Sequence, residues 1–270
     1  MNNKSEQSPV DHKTVKAPGK LARMFLSLYD VGQFVTRFFK EGFLPPYEGR
    51  ELINQCYNIG YRSLLLISTT GLITGMVFTK QSRPSLAEFG ATSWLPSLVA
   101  IALLRTLAPL LTGLIAAGKV GSSIGAELGS MRVTEQIDAM EVSATNPFKF
   151  LVSTRVLAAT ITIPILTFYT ALVGMLGAFL NVTVNEGTTM EAFVQDSLES
   201  ITFLDIIAST VKAVIFGFTI GMVGCYQGYN SSKGTEGVGK AANSSVVIAM
   251  FLIFLEEVIS VQFFALFRTT

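Results

Sequence analysis

Four charged residues lie near the middle of long apolar stretches of this 270-residue chain: Arg105, Lys212, Glu256 and Glu257. A charge at that depth in hydrocarbon is costly, so such side chains usually face a bundle interior or a water-filled path. An arginine in such a path can hold a phosphate group through two parallel hydrogen bonds. The pattern predicts a membrane protein with a polar interior, and transport is the first hypothesis for its function.

The four charges are expected to have different roles. We predict that Lys212 pairs with Glu256 or Glu257, because each of these charges would otherwise be uncompensated in the interior. Arg105 is then the better candidate to face a substrate path, and bonding between neighbouring helices is the alternative for its side chain. Three residues are predicted, from position and apolar character, to line a path for acyl chains: Phe78, Leu86 and Phe89.

The elements that carry these residues are apolar runs of membrane-spanning length. Half of the residues are hydrophobic, 14% are charged and the mean hydropathy is +0.50. Five runs are long enough to cross about 30 Å of hydrocarbon. They lie near residues 63–79, 94–117, 156–180, 203–226 and 245–267. The predicted fold class is an all-α membrane protein, with a transmembrane permease domain over residues 63–270.

The N-terminal part of the chain differs from the rest in composition. Residues 1–20 are polar without periodicity, which predicts a disordered tail. From residue 21 to 43, apolar residues recur at helical spacing among basic ones, which is typical of an amphipathic helix in the membrane interface. We therefore assign residues 21–62 to an interfacial, elbow-like region, and a core-facing helix is the alternative.

The basic residues indicate an orientation. Segments 1–62, 118–155 and 227–244 hold fifteen of the chain's 20 Lys and Arg, whereas the alternating segments hold three. Loops rich in Lys and Arg stay in the cytoplasm, so the N-terminus is predicted to be cytoplasmic and the C-terminus external. The second of these basic segments contains a short amphipathic pattern: Val133, Ile137 and Met140 share one helical face. It suits docking of a protein partner, and a solvated connecting helix is the alternative.

Glycines four residues apart recur along the predicted helices, as at Gly71 and Gly75 or at Gly217 and Gly221. This spacing lets two helix backbones approach closely, because glycine places no side chain in the contact. Two interpretations remain open at this point. The glycines pack helices of one chain together, or they form a seam between two copies.

Several kinds of site are excluded or disfavoured by residue type. His12 is the only histidine, so no Ser/His/Asp triad is possible, and the two cysteines favour neither a disulfide framework nor a metal site. Residues 113–119 (G-L-I-A-A-G-K) approach a phosphate-binding loop, but Val120 replaces the Ser or Thr that would reach magnesium. We expect no catalytic residue, no cofactor and no metal in this chain, and no nucleic-acid partner.

Four segments together resemble a known family. They are Gly118–Pro147 followed by R-V-L-A at 155–158, G-T-E-G-V-G-K-A at 234–241, L-L-R at 103–105, and V-K-A-V-I-F-G at 211–217. In this order and spacing they are similar to the MlaE (YrbE) family, the permease subunits of ABC transporters that work with MCE proteins. The similarity extends from about residue 50 to the C-terminus.

The resemblance implies an assembly and a function. Family members form homodimers, bind two cytoplasmic ATPase subunits that use ATP and magnesium, and dock an MCE protein on the external side. They move phospholipids or other lipids between membranes from a bacterial inner membrane, which here places the C-terminus in the periplasm. Residues 121–142 would hold the coupling helices that contact the ATPase. The residues implied in that contact are Glu127, Arg132, Glu135, Asp138 and Glu141.

The chain departs from the family pattern at two places. Thr106 stands where members commonly have Glu after the arginine, and the pair Glu256 and Glu257 stands where members often have a single Asp. Intramembrane Lys and Glu also build ion relays, so an ion-coupled secondary transporter is one alternative function. A membrane scaffold without transport is another.

Overall fold

The computed structural model describes residues 20–42 and 48–266, and all regular structure within them is helical. The helices are α1 Lys20–Glu41, α2 Gly49–Glu88, α3 Thr92–Val133, α4 Gln136–Val142, α5 Phe148–Val184, α6 Met190–Ser200, α7 Phe203–Tyr229 and α8 Thr235–Leu266. Five of them, α2, α3, α5, α7 and α8, are long and apolar enough to cross a membrane. The predicted fold class, an all-α membrane protein with about five spans, is confirmed.

The spanning helices are longer than the apolar runs that predicted them. α2 begins at Gly49 instead of residue 63, so the predicted elbow region divides between α1 and the first turns of α2. α3 continues past residue 117 to Val133, because Ile124 and Leu128 are buried in the core at that end. The predicted coupling segment 121–142 is therefore the last three turns of α3 followed by the short helix α4.

The helices define two ends of the bundle. α3 begins beside α6, where the Ser97 hydroxyl donates to the backbone carbonyl of Asp196 at 3.0 Å. It ends at Val133, next to α4. We call these ends of the bundle the α6 end and the α4 end.

The amphipathic helix α1 packs against the α4 end of the bundle. Phe34 is buried, with its ring 4.9 Å from that of Phe148 and 5.3 Å from that of Tyr226. Other apolar side chains of α1, such as Phe25 and Leu28, are exposed. This distribution fits a helix whose outer face meets lipid. The predicted tail lies outside the described residues, apart from Lys20.

Glycines bring the helix backbones together within this chain. A Cβ on Gly75 of α2 would overlap the backbone carbonyl of Gly174 in α5, and one on Gly177 would overlap that of Leu72. On α7, a Cβ on Gly217 would lie 2.6 Å from the carbonyl oxygen of Ala159 in α5. Of the two interpretations of the glycine spacing, packing within one chain therefore accounts for these positions.

Candidate functional site

Arg105 lies in an irregular part of α3. Residues Leu103–Leu107 form a π-helical turn, a feature that is frequent at functional sites. The Nζ atom of Lys212 in α7 donates to the backbone carbonyl of Arg105 at 3.1 Å. The backbone of the π-helical turn is therefore bound to α7 independently of the arginine side chain.

The guanidinium of Arg105 forms a two-point ion pair with Asp205 in α7. Nε lies 2.6 Å from Oδ1, and Nη2 donates to Oδ2 at 2.8 Å. Asp205 also accepts from the backbone N–H of Thr202 at 3.0 Å, within a capping box that begins α7. The side chains of Arg105 and Asp205 are 23% and 10% exposed. Arg105 therefore bridges helices through its side chain, and that side chain remains partly exposed.

Lys212 and Glu257 form the second ion pair of the site. Nζ of Lys212 lies 2.7 Å from Oε1 of Glu257 in α8, and both side chains are buried. Glu256 points elsewhere and accepts from the hydroxyl of Thr219. Successive residues on a helix point about 100° apart, so only one of the two adjacent glutamates can face Lys212. The two ion pairs, Arg105–Asp205 and Lys212–Glu257, make a charge-balanced cluster, which we call the charged cluster.

A cavity of about 500 Å³ opens beside the charged cluster. Arg105, Asp205 and Lys212 contribute its charged lining. The hydroxyl-bearing residues Thr106 and Thr202 also line it. The apolar lining comes from α7 and α8: Leu204, Ala208, Val261, Phe264 and Ala265. A cavity with charges at one part of its wall and apolar side chains at another can accommodate an amphiphile.

None of the three residues predicted to line an acyl-chain path is among the residues that line this cavity. Phe78 and Leu86 are partly buried against an apolar cluster that includes Leu95 of α3. Leu86 also borders a separate groove of about 840 Å³, together with Trp94. Phe89 is 84% exposed at the α6 end. The structure thus places these residues at the α6 end of the bundle, outside the described lining of the cavity at Arg105.

At the α4 end, most of the residues implied in ATPase contact already have a partner within the chain. Glu127 accepts from Arg155, Arg132 donates to Asp138 at 2.6 Å, and Lys233 lies 3.8 Å from Glu135. Glu141 is exposed. α4 is anchored by Ile137, which is fully buried. These contacts leave α4 as a fixed, charged surface helix.

Asp205 and Arg155 were missed by reasoning from the sequence. Asp205 stands in the first turn of the apolar run 203–226, far from the middle of that run, so it was not counted among the charges at mid-depth. The capping-box pattern Thr202-x-x-Asp205 was a usable signal for the helix start, although it does not predict the arginine partner. Arg155 precedes the third predicted span, and nothing in the local sequence indicates its burial.

The carboxylate of Glu41, at the end of α1, accepts a hydrogen bond from Asn146, and this contact depends on pH. Partial burial raises the pKa of Glu41, but hydrogen bonds from Arg37 at 2.7 Å and Asn146 at 2.9 Å lower it by more, so the net pKa lies below the ordinary value. A lowered carboxylate pKa stabilises the folded state above the unfolded pKa, and this contribution is lost as pH falls through the folded pKa.

We therefore expect Glu41→Gln to lower the melting temperature in detergent at about pH 7, with a much smaller difference from the unmodified chain at about pH 3. Thermal unfolding of both proteins at the two pH values is the measurement. An equal difference at both values would contradict a role for the ionised carboxylate.

Comparison with known proteins assigns most of the chain to one family. A sequence profile described as Permease MlaE matches residues 52–263, which extend from α2 to α8. The chain belongs to the MlaE permease family. The resemblance of the four sequence segments to this family is thereby confirmed, and the family assignment favours a permease over an ion-coupled transporter or a scaffold.

Individual relatives of this MlaE permease agree with the profile. A probable ABC transporter permease protein of Rickettsia prowazekii is 37% identical over 220 residues, which cover 82% of this chain and 85% of the relative. A probable ABC transporter permease protein of Synechocystis is 35% identical over 243 residues, or 87% of this chain and 92% of the relative. The Arabidopsis thaliana protein TRIGALACTOSYLDIACYLGLYCEROL 1, chloroplastic, is 30% identical over 86% of this chain and 65% of its own length.

The family fixes the general role of the MlaE permease. It is a multi-pass membrane protein and the non-enzymatic permease subunit of an ABC transporter. An ABC transporter permease works with separate ATPase subunits, so ATP hydrolysis belongs to partner chains.

Proposed function

We propose that this MlaE permease moves phospholipids or related lipids between membranes, driven by its ATPase partner. The observation that carries the proposal is the cavity beside the charged cluster, where the partly exposed side chain of Arg105 lies next to an apolar wall. A lipid has the same division into a charged headgroup and apolar chains. The Arabidopsis relative also bears the name of a diacylglycerol lipid.

Arg105 is the residue we assign to the headgroup. The guanidinium already holds a carboxylate through two contacts, and a phosphate group presents oxygens with the same geometry. A lipid phosphate that enters the cavity therefore competes with Asp205 for the guanidinium. The apolar side chains of Val261 and Phe264, on the same cavity wall, would contact the first part of the acyl chains.

The placement in the membrane and the partners belong to the same proposal. We place the protein in a bacterial inner membrane, with the α4 end and the N-terminus in the cytoplasm and the α6 end and the C-terminus in the periplasm. The concentration of Lys and Arg in the segments at the α4 end supports this orientation. The acidic, exposed helix α6 supports a docking site for an MCE protein there. α8 exposes Phe251, Phe254 and Val258, a face that suits a second copy of the chain in a homodimer. At the α4 end, the ATPase would bind ATP and magnesium and contact α4.

Substitution of Arg105 tests the lipid role. Arg105→Gln alone takes the guanidinium away from the Asp205 carboxylate, so the informative variant is Arg105→Gln with Asp205→Asn, which removes both charges together. In the permease–ATPase complex in vesicles, we expect lipid transfer to fall about tenfold, because a charge-assisted hydrogen bond contributes about 1.5 kcal/mol. Transfer of a labelled phospholipid to acceptor vesicles is the measurement.

Arg83→Gln is the matched control, since Arg83 forms an ion pair with Glu186 and neither residue lines the cavity. It should leave lipid transfer unchanged. Full transfer by the double variant, in a complex that assembles normally, would show that Arg105 does not bind the headgroup.

A further inference from the structure

A buried arginine lies near the α4 end of the bundle, on α5, a helix that carries none of the charged-cluster residues. Arg155, in the second turn of α5, is only 2% exposed. Its Nη2 donates to Oε1 of Glu127 in α3 at 2.7 Å, and its Nη1 donates to the backbone carbonyl of Leu151 at 3.0 Å. Its Nε has no hydrogen-bond partner among the described residues. Glu127 is therefore the one carboxylate that compensates this buried charge within the described part of the chain.

The helices around this ion pair are packed backbone to backbone. A Cβ on Gly221 of α7 would lie 2.9 Å from the Cα of Val156 in α5, and one on Gly228 would lie 2.7 Å from the Cβ of Leu128 in α3. Contacts this close leave no room for one helix to slide past another without repacking. The ends of α3, α5 and α7 therefore behave as a stiff frame, and the Arg155–Glu127 pair joins two of its members directly.

The helix α4 is attached to this frame through α3. Only Thr134 and Glu135 separate the two helices, and Glu135 has a left-handed backbone conformation with φ of 58°. The buried side chain of Ile137 anchors α4 in the same core as Leu128. The short link and the shared core therefore connect a displacement of α4 to the end of α3, where Glu127 lies.

We propose that the Glu127–Arg155 ion pair is a coupling strut that passes displacement of α3 to α5. In this role Glu127 acts inside the permease and is not a contact for the ATPase, and Arg155 is its positioning partner. The inference rests on the proposed placement of the ATPase at the α4 end. It does not depend on which lipid is carried.

The geometry separates a strut from a docking contact. Arg155 is too deeply buried to touch another protein, whereas the Glu127 side chain is about half exposed. A docking role predicts that only Glu127 variants weaken ATPase binding. A strut predicts that variants at either position have the same effect and leave ATPase binding intact.

The test uses the intact permease–ATPase complex in vesicles, with three readouts: co-purification of the ATPase, ATP turnover and labelled-phospholipid transfer. For Glu127→Gln and Arg155→Gln, we expect normal co-purification and continued ATP turnover, with transfer per ATP lowered roughly fivefold. The charge swap Glu127→Arg with Arg155→Glu should recover part of the loss. Arg83→Gln, which breaks an ion pair at the α6 end, should change none of the three readouts.

Glu127→Asp is included in case Arg155→Gln does not fold. It keeps the charge but withdraws the carboxylate by one methylene, and the strut role predicts uncoupling here too. Loss of ATPase co-purification with Glu127 variants alone would overturn the inference in favour of docking, and unchanged transfer per ATP in all variants would overturn it outright. Absence of lipid transfer by the unmodified complex would instead refute the proposed lipid function.

Discussion

Lys212→Met is expected to destabilise the folded permease by about 3–5 kcal/mol, because it leaves Glu257 as a buried charge without its partner. The ammonium also donates to the backbone carbonyl of Arg105, so the same substitution removes a bond from the π-helical turn of α3. The measurement is the unfolding of both proteins in detergent, induced by heat or by a denaturing surfactant.

The double variant Lys212→Met with Glu257→Met provides the decisive comparison. Replacing a whole buried ion pair with apolar side chains of similar volume is often neutral, so we expect most of the lost stability to return. Glu256→Met in place of Glu257→Met should give no such recovery, since Glu256 is bound to Thr219. If Lys212→Met and the two double variants were equally stable, the Lys212–Glu257 pair would not hold α7 to α8.

Gly75→Ala should destabilise the bundle by about 1–3 kcal/mol, the usual cost of overpacking a close contact. The added Cβ would overlap the backbone carbonyl of Gly174, and a backbone atom cannot move aside as a side-chain tip can. Gly75→Leu should have a larger effect and prevent normal packing of α2 on α5. The same unfolding measurement in detergent applies.

Gly239→Ala is the control for this substitution. Gly239 lies in α8 with no atom within 4 Å of an added Cβ, so alanine there should stabilise the helix by up to about 1 kcal/mol. If Gly75→Ala and Gly239→Ala had the same effect, the α2–α5 contact would not depend on the missing side chain.

The number of spanning helices could be predicted because it depends on the lengths of apolar runs alone. The ends of the helices could not, since Ser122–Val133 stays helical through packing of Ile124 and Leu128 against other helices. Which glutamate faces Lys212 depends on the rotation of α8 relative to α7, and the sequence left both open. The partners of Arg105 and Arg155 lie 100 and 28 residues away, so no local pattern connects them.

Arg105 is joined to its surroundings in two separable ways. Its guanidinium meets Asp205, whereas its backbone carbonyl accepts from Lys212, which in turn binds Glu257 of α8. The second set of contacts uses no side-chain atom of residue 105. A substitution at residue 105 can therefore change the charge on the cavity wall while the junction of α3, α7 and α8 keeps its backbone bond. Under the proposed lipid function, this position would let the headgroup preference change without loss of the junction.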